Sequence, residues 1–168
     1  VKSGAQVLFT PQYYNEVPLI VQQAKDLGWQ GPIVGSDSWG SAETVELCGE
    51  ACYGLFFSSH YAAAGAKGAT KAFIDRYADT YGYIPDDVAA LTWDALRLVQ
   101  KAIQDAGDYT GRVEKDRKAV KDALAQIKNF AGITGNMTFT AEGDPIKCAV
   151  IVKINDQGEY EFYKSSCP

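Results

Sequence analysis

Residues 6–37 read QVLFTPQYYNEVPLIVQQAKDLGWQGPIVGSD, and this stretch decides the fold. Two short apolar runs, Gln6 to Phe9 and Pro32 to Gly35, flank a segment whose apolar residues repeat at helical spacing. Continuous apolar runs are typical of parallel strands that are covered on both faces. The stretch therefore predicts a β-strand, an α-helix and a second strand parallel to the first.

The predicted helix has a start signal and an end signal. Asn15 can cap its first turn, Pro18 lies early enough to be tolerated, and Gly28 can end it. The apolar residues that repeat between these signals are Val17, Ile20, Ala24 and Leu27. We expect this apolar side to cover the sheet.

Polar and aromatic side chains follow the two strands. Tyr13 and Tyr14 come after the first strand, and Asp37 comes directly after the second. In open α/β sheets, ligands bind beyond the carboxyl ends of parallel strands. A phenol and a carboxylate at that edge suit a small cation such as an amino group, so Tyr13 and Asp37 are the first candidates for ligand contact.

Each candidate also has a purely structural interpretation. Asp37 precedes Ser38-Trp39-Gly40 and can act as a turn or helix cap. Tyr14 fits packing or a cleft wall, and Trp39 can either line an apolar pocket or be part of the core. The sequence leaves these alternatives open.

Composition limits the class of protein. The 168 residues are 46% hydrophobic, with 10 Tyr, 7 Phe and 3 Trp, which is typical of a folded globular protein. The net charge is -5 and no stripe of Lys and Arg is present, so nucleic acid is a poor candidate partner. No apolar run approaches the roughly 20 residues that a membrane-spanning helix needs.

The four cysteines are placed as two pairs. Strand-like runs from Ile146 to Ile154 and from Glu159 to Lys164 form a hairpin around a turn, and counting outward from the turn puts Cys148 opposite Ser165, with Cys167 near enough to bridge. Cys48 and Cys52 could form a second, local bridge. Two disulfides would indicate an oxidising compartment outside the cytoplasm, and the alternative is a set of buried free thiols.

The middle of the chain is mainly helical. A strand at residues 54–59 continues into His60 and Tyr61, and the helical pattern then covers Thr70 to Tyr81 and the stretch from about Pro85 to Ala106. A third helix carries Val120, Leu124 and Ile127 before a strand from Gly132 to Thr140. Helices between parallel strands and a late hairpin indicate an α/β chain that leaves one lobe for another and returns.

Enzymatic and metal motifs are missing from the sequence. It contains no G-x-S-x-G, no phosphate-binding lysine loop, no G-x-G-x-x-G and no two-histidine zinc motif. His60 is the single histidine, so it has no histidine partner for a metal site and a structural role is expected. We predict a protein without catalytic residues, bound metal or cofactor.

Four blocks of the sequence resemble a known family. They are VLFTPQYYNEVPLIVQQAKDLGWQGPIVGSDSW, CYGLFFSSHY, AFIDRYADTYGYIPDDVAALTWDALRLVQKAI and FAGITGNMTFTAEGDPIKCAVIVKI. In this order they are similar to the carboxyl-terminal half of type I periplasmic solute-binding proteins of the branched-chain amino-acid (Leu/Ile/Val) ABC transporter family. The resemblance implies two Rossmann-like lobes that close on a ligand like a Venus flytrap.

The resemblance also implies roles for particular residues. Tyr13 corresponds to a tyrosine that contacts the ligand, and Asp37 corresponds to the acidic residue that receives the ligand's α-ammonium. In the family, the groups that hold the ligand carboxylate belong to the other lobe. By the same similarity, residues 1–60 and 144–168 belong to the second lobe, and residues 61–143 to part of the first.

The family implies a partner half, a location and a function. Val1-Lys2-Ser3-Gly4 is similar to the end of a helix, so we expect an amino-terminal half in addition to this chain. The expected function is capture of a small amino acid for an ABC transporter permease, in the periplasm or outside the cell, with or without a lipid anchor. The alternatives are a sensor domain of the same fold and an enzyme whose catalytic groups lie elsewhere.

Overall fold

The computed structural model of the protein describes residues 3–168, so Val1 and Lys2, where the predicted helix end begins, lie outside the described residues. Two compact units form. The first comprises the described part of Val1–Asp87 together with Ala149–Ser166, and the second comprises Val88–Cys148 with Cys167–Pro168. The predicted division into lobes at residues 61 and 143 stays a prediction.

The secondary structure of the described residues alternates between strands and helices. The strands are β1 (Leu8–Thr10), β2 (Ile33–Gly35), β3 (Phe56–Ser59), β4 (Phe130–Gly132), β5 (Gly135–Phe139), β6 (Pro145–Ile146), β7 (Ala149–Ile154) and β8 (Tyr160–Ser166). The helices are α1 (Val17–Asp26), α2 (Glu43–Cys48), α3 (Gly68–Tyr81), α4 (Asp87–Asp105) and α5 (Val113–Ala125).

A five-stranded sheet in the order β1-β2-β3-β7-β8 forms the centre of the first unit. The pairs β1-β2 and β2-β3 are parallel, whereas β7 is antiparallel to both β3 and β8. Helix α1 connects β1 to β2 and buries Val17 and Val21 completely. The core of the first unit also contains Ile33, Trp39, Cys52, Phe57, Val152 and Ile154. The predicted α/β class with parallel strands is confirmed.

The start of α1 differs from the prediction. The helix begins at Val17 with Glu16 as the N-cap residue, and the cap makes no side-chain hydrogen bond. The carbonyl oxygen of Tyr13 instead accepts hydrogen bonds from the amides of Glu16 and Val17, at 2.9 and 3.1 Å. This backbone turn satisfies the amides at the helix start, so the prediction that Asn15 caps the helix was wrong.

The hairpin forms, but its register differs from the prediction. Val150, and not Cys148, lies opposite Ser165. The observed register therefore differs from the predicted one by two residues. A bulge between Ile151 and Val152 accounts for one of them, and the turn accounts for the other. The predicted run is also broken before β7, because β6 and β7 are separate strands.

Both predicted disulfides are present. Cys48 is bonded to Cys52 and Cys148 to Cys167, so the described residues include no free cysteine. The corrected register explains the second bridge, because Ala149 lies opposite Ser166 and the two cysteines are the next residues outward.

The second unit packs two helices, α4 and α5, with the antiparallel strands β4, β5 and β6. Its buried core consists of Leu98, Ala102, Ile127 and Met137. Strand β4 was not predicted, because residues 132–140 were expected to form one strand; a tight turn between Gly132 and Gly135 separates β4 from β5.

A buried carboxylate holds this turn. Asp94 on α4 is 2% exposed and accepts hydrogen bonds from the amides of Ile133 and Thr134, each at 2.9 Å, and from the Thr134 hydroxyl at 2.7 Å. Lys147 donates to the same hydroxyl at 2.8 Å, and burial lowers the pKa of Lys147 although Asp94 opposes the shift. A Cβ atom on Gly132 would lie 2.5 Å from the carboxylate, so glycine is required there.

We predict that Asp94→Ala lowers the free energy of unfolding by about 3 kcal/mol, because it leaves buried amides without an acceptor. Urea denaturation of the full-length protein that contains this chain measures the loss. Asp105→Ala, on the same helix but in an exposed pair with Lys101, is the matched control and should cost less than about 0.5 kcal/mol. Equal losses for the two variants would contradict the structural role of Asp94.

We also predict that replacing both Cys148 and Cys167 by alanine costs about 3 kcal/mol, because the bridge closes a loop whose ends are 19 residues apart. Both cysteines are exposed, so little packing is lost with them. The single variant Cys148→Ala should lose as much as the double variant in thermal unfolding. A loss below about 1 kcal/mol would show that the bridge does not restrict the unfolded chain.

Candidate functional site

The three parallel strands end at one edge of the sheet. Thr10 at the end of β1 lies opposite Gly35 at the end of β2, and Gly35 lies opposite Phe57 in β3. The loop that carries Tyr13 therefore leaves the sheet beside the loop that carries Asp37. His60 follows the third strand directly, at the same edge.

Hydrogen bonds join the first two of these loops. The Ser38 hydroxyl lies 2.7 Å from the carbonyl oxygen of Gln12, and the Trp39 indole donates to the carbonyl oxygen of Thr10 at 3.1 Å. The loops after β1 and β2 are thus held together by side chains of the turn that begins at Asp37. This geometry keeps Tyr13 and Asp37 in adjacent loops.

The two tyrosines after β1 differ in exposure. Tyr13 is 69% exposed, whereas Tyr14 is half-buried. The backbone carbonyl of Tyr13 accepts hydrogen bonds at the start of α1, and the exposed ring and hydroxyl are accessible. An accessible phenol can bind a cation through its ring face or through its hydroxyl oxygen.

Asp37 lies beside His60, a contact that was not predicted from the sequence. The Oδ2 atom of Asp37 lies 3.4 Å from Nε2 of His60, and the side chains are 53% and 40% exposed. The carboxylate begins a short 3-10 turn over Asp37–Trp39 and keeps much of its surface open to solvent. The position of His60 directly after the third parallel strand indicates that it lies at this edge, but the contact itself depends on the order of the strands in the sheet.

Trp39 lies in the core. Its side chain is fully buried, and its ring centroid is 6.1 Å from that of Phe57. A Cβ atom on Gly35 would lie 2.1 Å from Cε2 of the indole, so the glycine makes room for the ring. Of the two interpretations of Trp39, the structure places it in packing and not in the wall of an open pocket.

Tyr160 of β8 holds the segment that follows Asp37. Its hydroxyl donates to the carbonyl oxygen of Trp39 at 2.7 Å and lies within hydrogen-bonding distance of the Ser41 carbonyl oxygen. Burial raises the pKa of Tyr160 to about 12, so the phenol stays a neutral donor at physiological pH. This role of Tyr160 was not predicted from the sequence.

A cavity of about 470 Å³ opens in the first unit. Its walls include Phe57, Tyr61, Ile74, Val152 and Tyr160, and they do not include Tyr13, Asp37 or His60. Burial, together with the nearby Asp86, raises the pKa of Tyr61 to about 12. This cavity was not predicted from the sequence.

No helix among residues 3–168 combines the length and apolar character needed to cross a bilayer. No group of three or more His, Cys, Asp or Glu side chains in the same residues is arranged to hold a metal ion.

Nearly the whole chain matches a known protein family. The family model described as periplasmic binding protein matches residues 1–159. The chain belongs to the periplasmic binding protein family. The resemblance that the four sequence blocks indicated is therefore confirmed.

Individual relatives are named for amino-acid binding. The chain is 27% identical over 166 residues to the leucine-, isoleucine-, valine-, threonine- and alanine-binding protein of Pseudomonas aeruginosa. It is 30% identical to a leucine-binding protein of Thermotoga maritima, with a TM-score of 0.87. It is 31% identical, with a TM-score of 0.79, to a branched-chain amino-acid transporter substrate-binding protein of Streptococcus pneumoniae in complex with isoleucine.

The chain spans less than half the length of these relatives. The alignment with the Pseudomonas protein covers 98% of this chain and 40% of the relative. The two structural alignments each cover 99% of this chain and 46% of the relative.

We predict that Tyr160→Phe lowers the free energy of unfolding by about 1 to 2 kcal/mol, because the hydrogen bond to the Trp39 carbonyl is lost. Tyr163→Phe, in the same strand but exposed, is the matched control and should be neutral. Chemical denaturation of the full-length protein measures both. A neutral Tyr160→Phe would show that the turn at Asp37 does not depend on β8.

The same pair of variants gives an alkaline pH test. Because the pKa of Tyr160 is raised from 10.0 to about 12 in the folded state, the unfolded state ionises first and stability falls as pH rises through this range. Wild type should lose more stability there than Tyr160→Phe. Identical slopes would contradict the burial of this phenol.

Proposed function

We propose that this protein binds a small amino acid, or a related amine-bearing solute, outside the cytoplasm and presents it to the permease of an ABC importer. The observation that carries the proposal is the half-exposed Asp37 carboxylate, which is held at the carboxyl edge of the parallel strands in a loop joined to that of Tyr13. The names of the relatives support an amino-acid ligand and support transport over a sensor role.

Electrostatics gives Asp37 its proposed role. Enclosing an ammonium group removes its water, and the free energy of this desolvation is large. It prevents binding unless a negatively charged group replaces the water. Asp37 supplies that charge, and the accessible phenol of Tyr13 supports it by a cation–π contact or a hydrogen bond. The proposed site performs no chemical step, so no residue is assigned a catalytic role.

The other half of the ligand requires other groups. A zwitterionic amino acid also carries a carboxylate, which needs hydrogen-bond donors or a positive charge when it is desolvated. We place those groups in the part of the relatives that this chain does not span. Contacts from both parts would then favour a closed form over an open one, and the closed form is what a permease would recognise.

We predict that Asp37→Asn weakens binding of L-isoleucine or L-leucine by at least about thirtyfold, because the ammonium loses its charged partner. Analogues of the same shape that lack the amino group should lose less than about threefold. Isothermal titration calorimetry of the full-length protein against an amino-acid panel measures both.

Asp156→Asn, at the exposed turn between β7 and β8, removes the same charge far from the site and is the matched control. It should leave all affinities unchanged. Equal weakening of ligands with and without an amino group by Asp37→Asn would reduce Asp37 to a structural role, and absence of binding across the panel would reject an amino-acid ligand.

A further inference from the structure

Asp37, which is proposed to bind the ammonium group of the solute, also contacts His60. When it is protonated, this side chain is a second cation beside the same carboxylate. Its Nε2 atom lies 3.4 Å from Oδ2 of Asp37, which is within ion-pair distance but longer than a normal hydrogen bond. A neutral imidazole gains little at this separation, whereas an imidazolium is attracted to the carboxylate. The contact between the two side chains therefore becomes stronger when His60 binds a proton.

Other ionisable side chains lie on the elements around this edge. Besides Asp37 and His60 they include Tyr13, Tyr14, Glu16, Glu43, Tyr61, Asp86 and Asp87, whose carboxylate lies close to Gly40. Strand β7, which pairs with β3, brings the apolar Val150 opposite Ser59 next to His60. Histidine is the residue type that normally changes charge between about pH 5 and 8, and His60 is the single histidine of the sequence.

We propose that His60 and the amino group of the solute compete for Asp37, so that protonation of His60 weakens the binding of amine-bearing solutes. This inference rests on the proposed function, because it needs an ammonium group at Asp37. An imidazolium and an ammonium beside one carboxylate repel each other and leave a net positive charge. Binding of the solute consequently favours the neutral form of His60.

Competition for one carboxylate couples the binding of the solute to the binding of a proton by His60. If the solute binds the neutral form better, affinity falls as the pH decreases, and binding near the midpoint of the His60 titration releases protons. Because the pair is partly exposed, the effect on affinity should be about two- to fivefold.

The experiment is calorimetric titration of the full-length protein with L-isoleucine, at about pH 7.5 and about pH 5.5, for wild type and His60→Gln. The number of protons released at about pH 6 is obtained from the binding enthalpies in two buffers of different ionisation enthalpy. Glutamine keeps a polar side chain but cannot gain a charge, so the variant removes the proposed competitor.

We expect wild type to lose about two- to fivefold more affinity than His60→Gln between the two pH values, and to release protons on binding. Wild-type binding without proton release, or identical pH profiles for the two proteins, would overturn the role of His60 while leaving the proposed function intact. If His60→Gln does not fold, proton release by wild type decides alone. No binding of L-isoleucine or L-leucine by wild type at the higher pH would instead count against the proposed function.

Discussion

The parallel pairing of β1, β2 and β3 is the constraint on which the rest of the first unit depends. Parallel strands in register end at the same edge, so the loops after them must leave the sheet side by side. This places Tyr13, Asp37 and His60, which are separated widely in sequence, at one edge. Ser38 and Trp39 then fix the first two loops to each other by hydrogen bonds.

A carboxylate at such an edge can bind a ligand, because only part of its charge and hydrogen-bonding capacity is matched by groups of the protein. Asp94 shows the contrasting case, since its three hydrogen bonds are all made inside the fold and it is buried. Asp37 is about half exposed and contacts a histidine whose charge depends on pH. The same residue type thus serves as a structural clamp at one position and as a candidate ligand group at the other.

Local features of the fold could be predicted from the sequence, because periodicity and apolar runs act over short distances. The strand-helix-strand unit of residues 6–37 and both disulfides are examples. The hairpin register could not be predicted in full, because one residue of the difference arises at the bulge between Ile151 and Val152, which no turn or spacing signal marks.

The position of Tyr13 and Asp37 at the carboxyl edge of the sheet could be predicted, because each residue follows a strand; their contact with a ligand stays a prediction. Contacts that depend on distant parts of the chain were missed. The bond from Tyr160 to the Trp39 carbonyl joins residues 121 positions apart, and the burial of Trp39 depends on the space that Gly35 leaves. The contact between Asp37 and His60 likewise requires the order of strands in the sheet, which no single segment reveals.

The most direct test is a crystal structure of the full-length protein with a bound amino acid. The account predicts that the ligand's α-nitrogen lies within about 3 Å of a carboxylate oxygen of Asp37, as expected for a charge-assisted hydrogen bond. It also predicts the Tyr13 side chain in contact with the same ligand. A ligand whose nitrogen pairs with another group, while Asp37 contacts only His60, would contradict it.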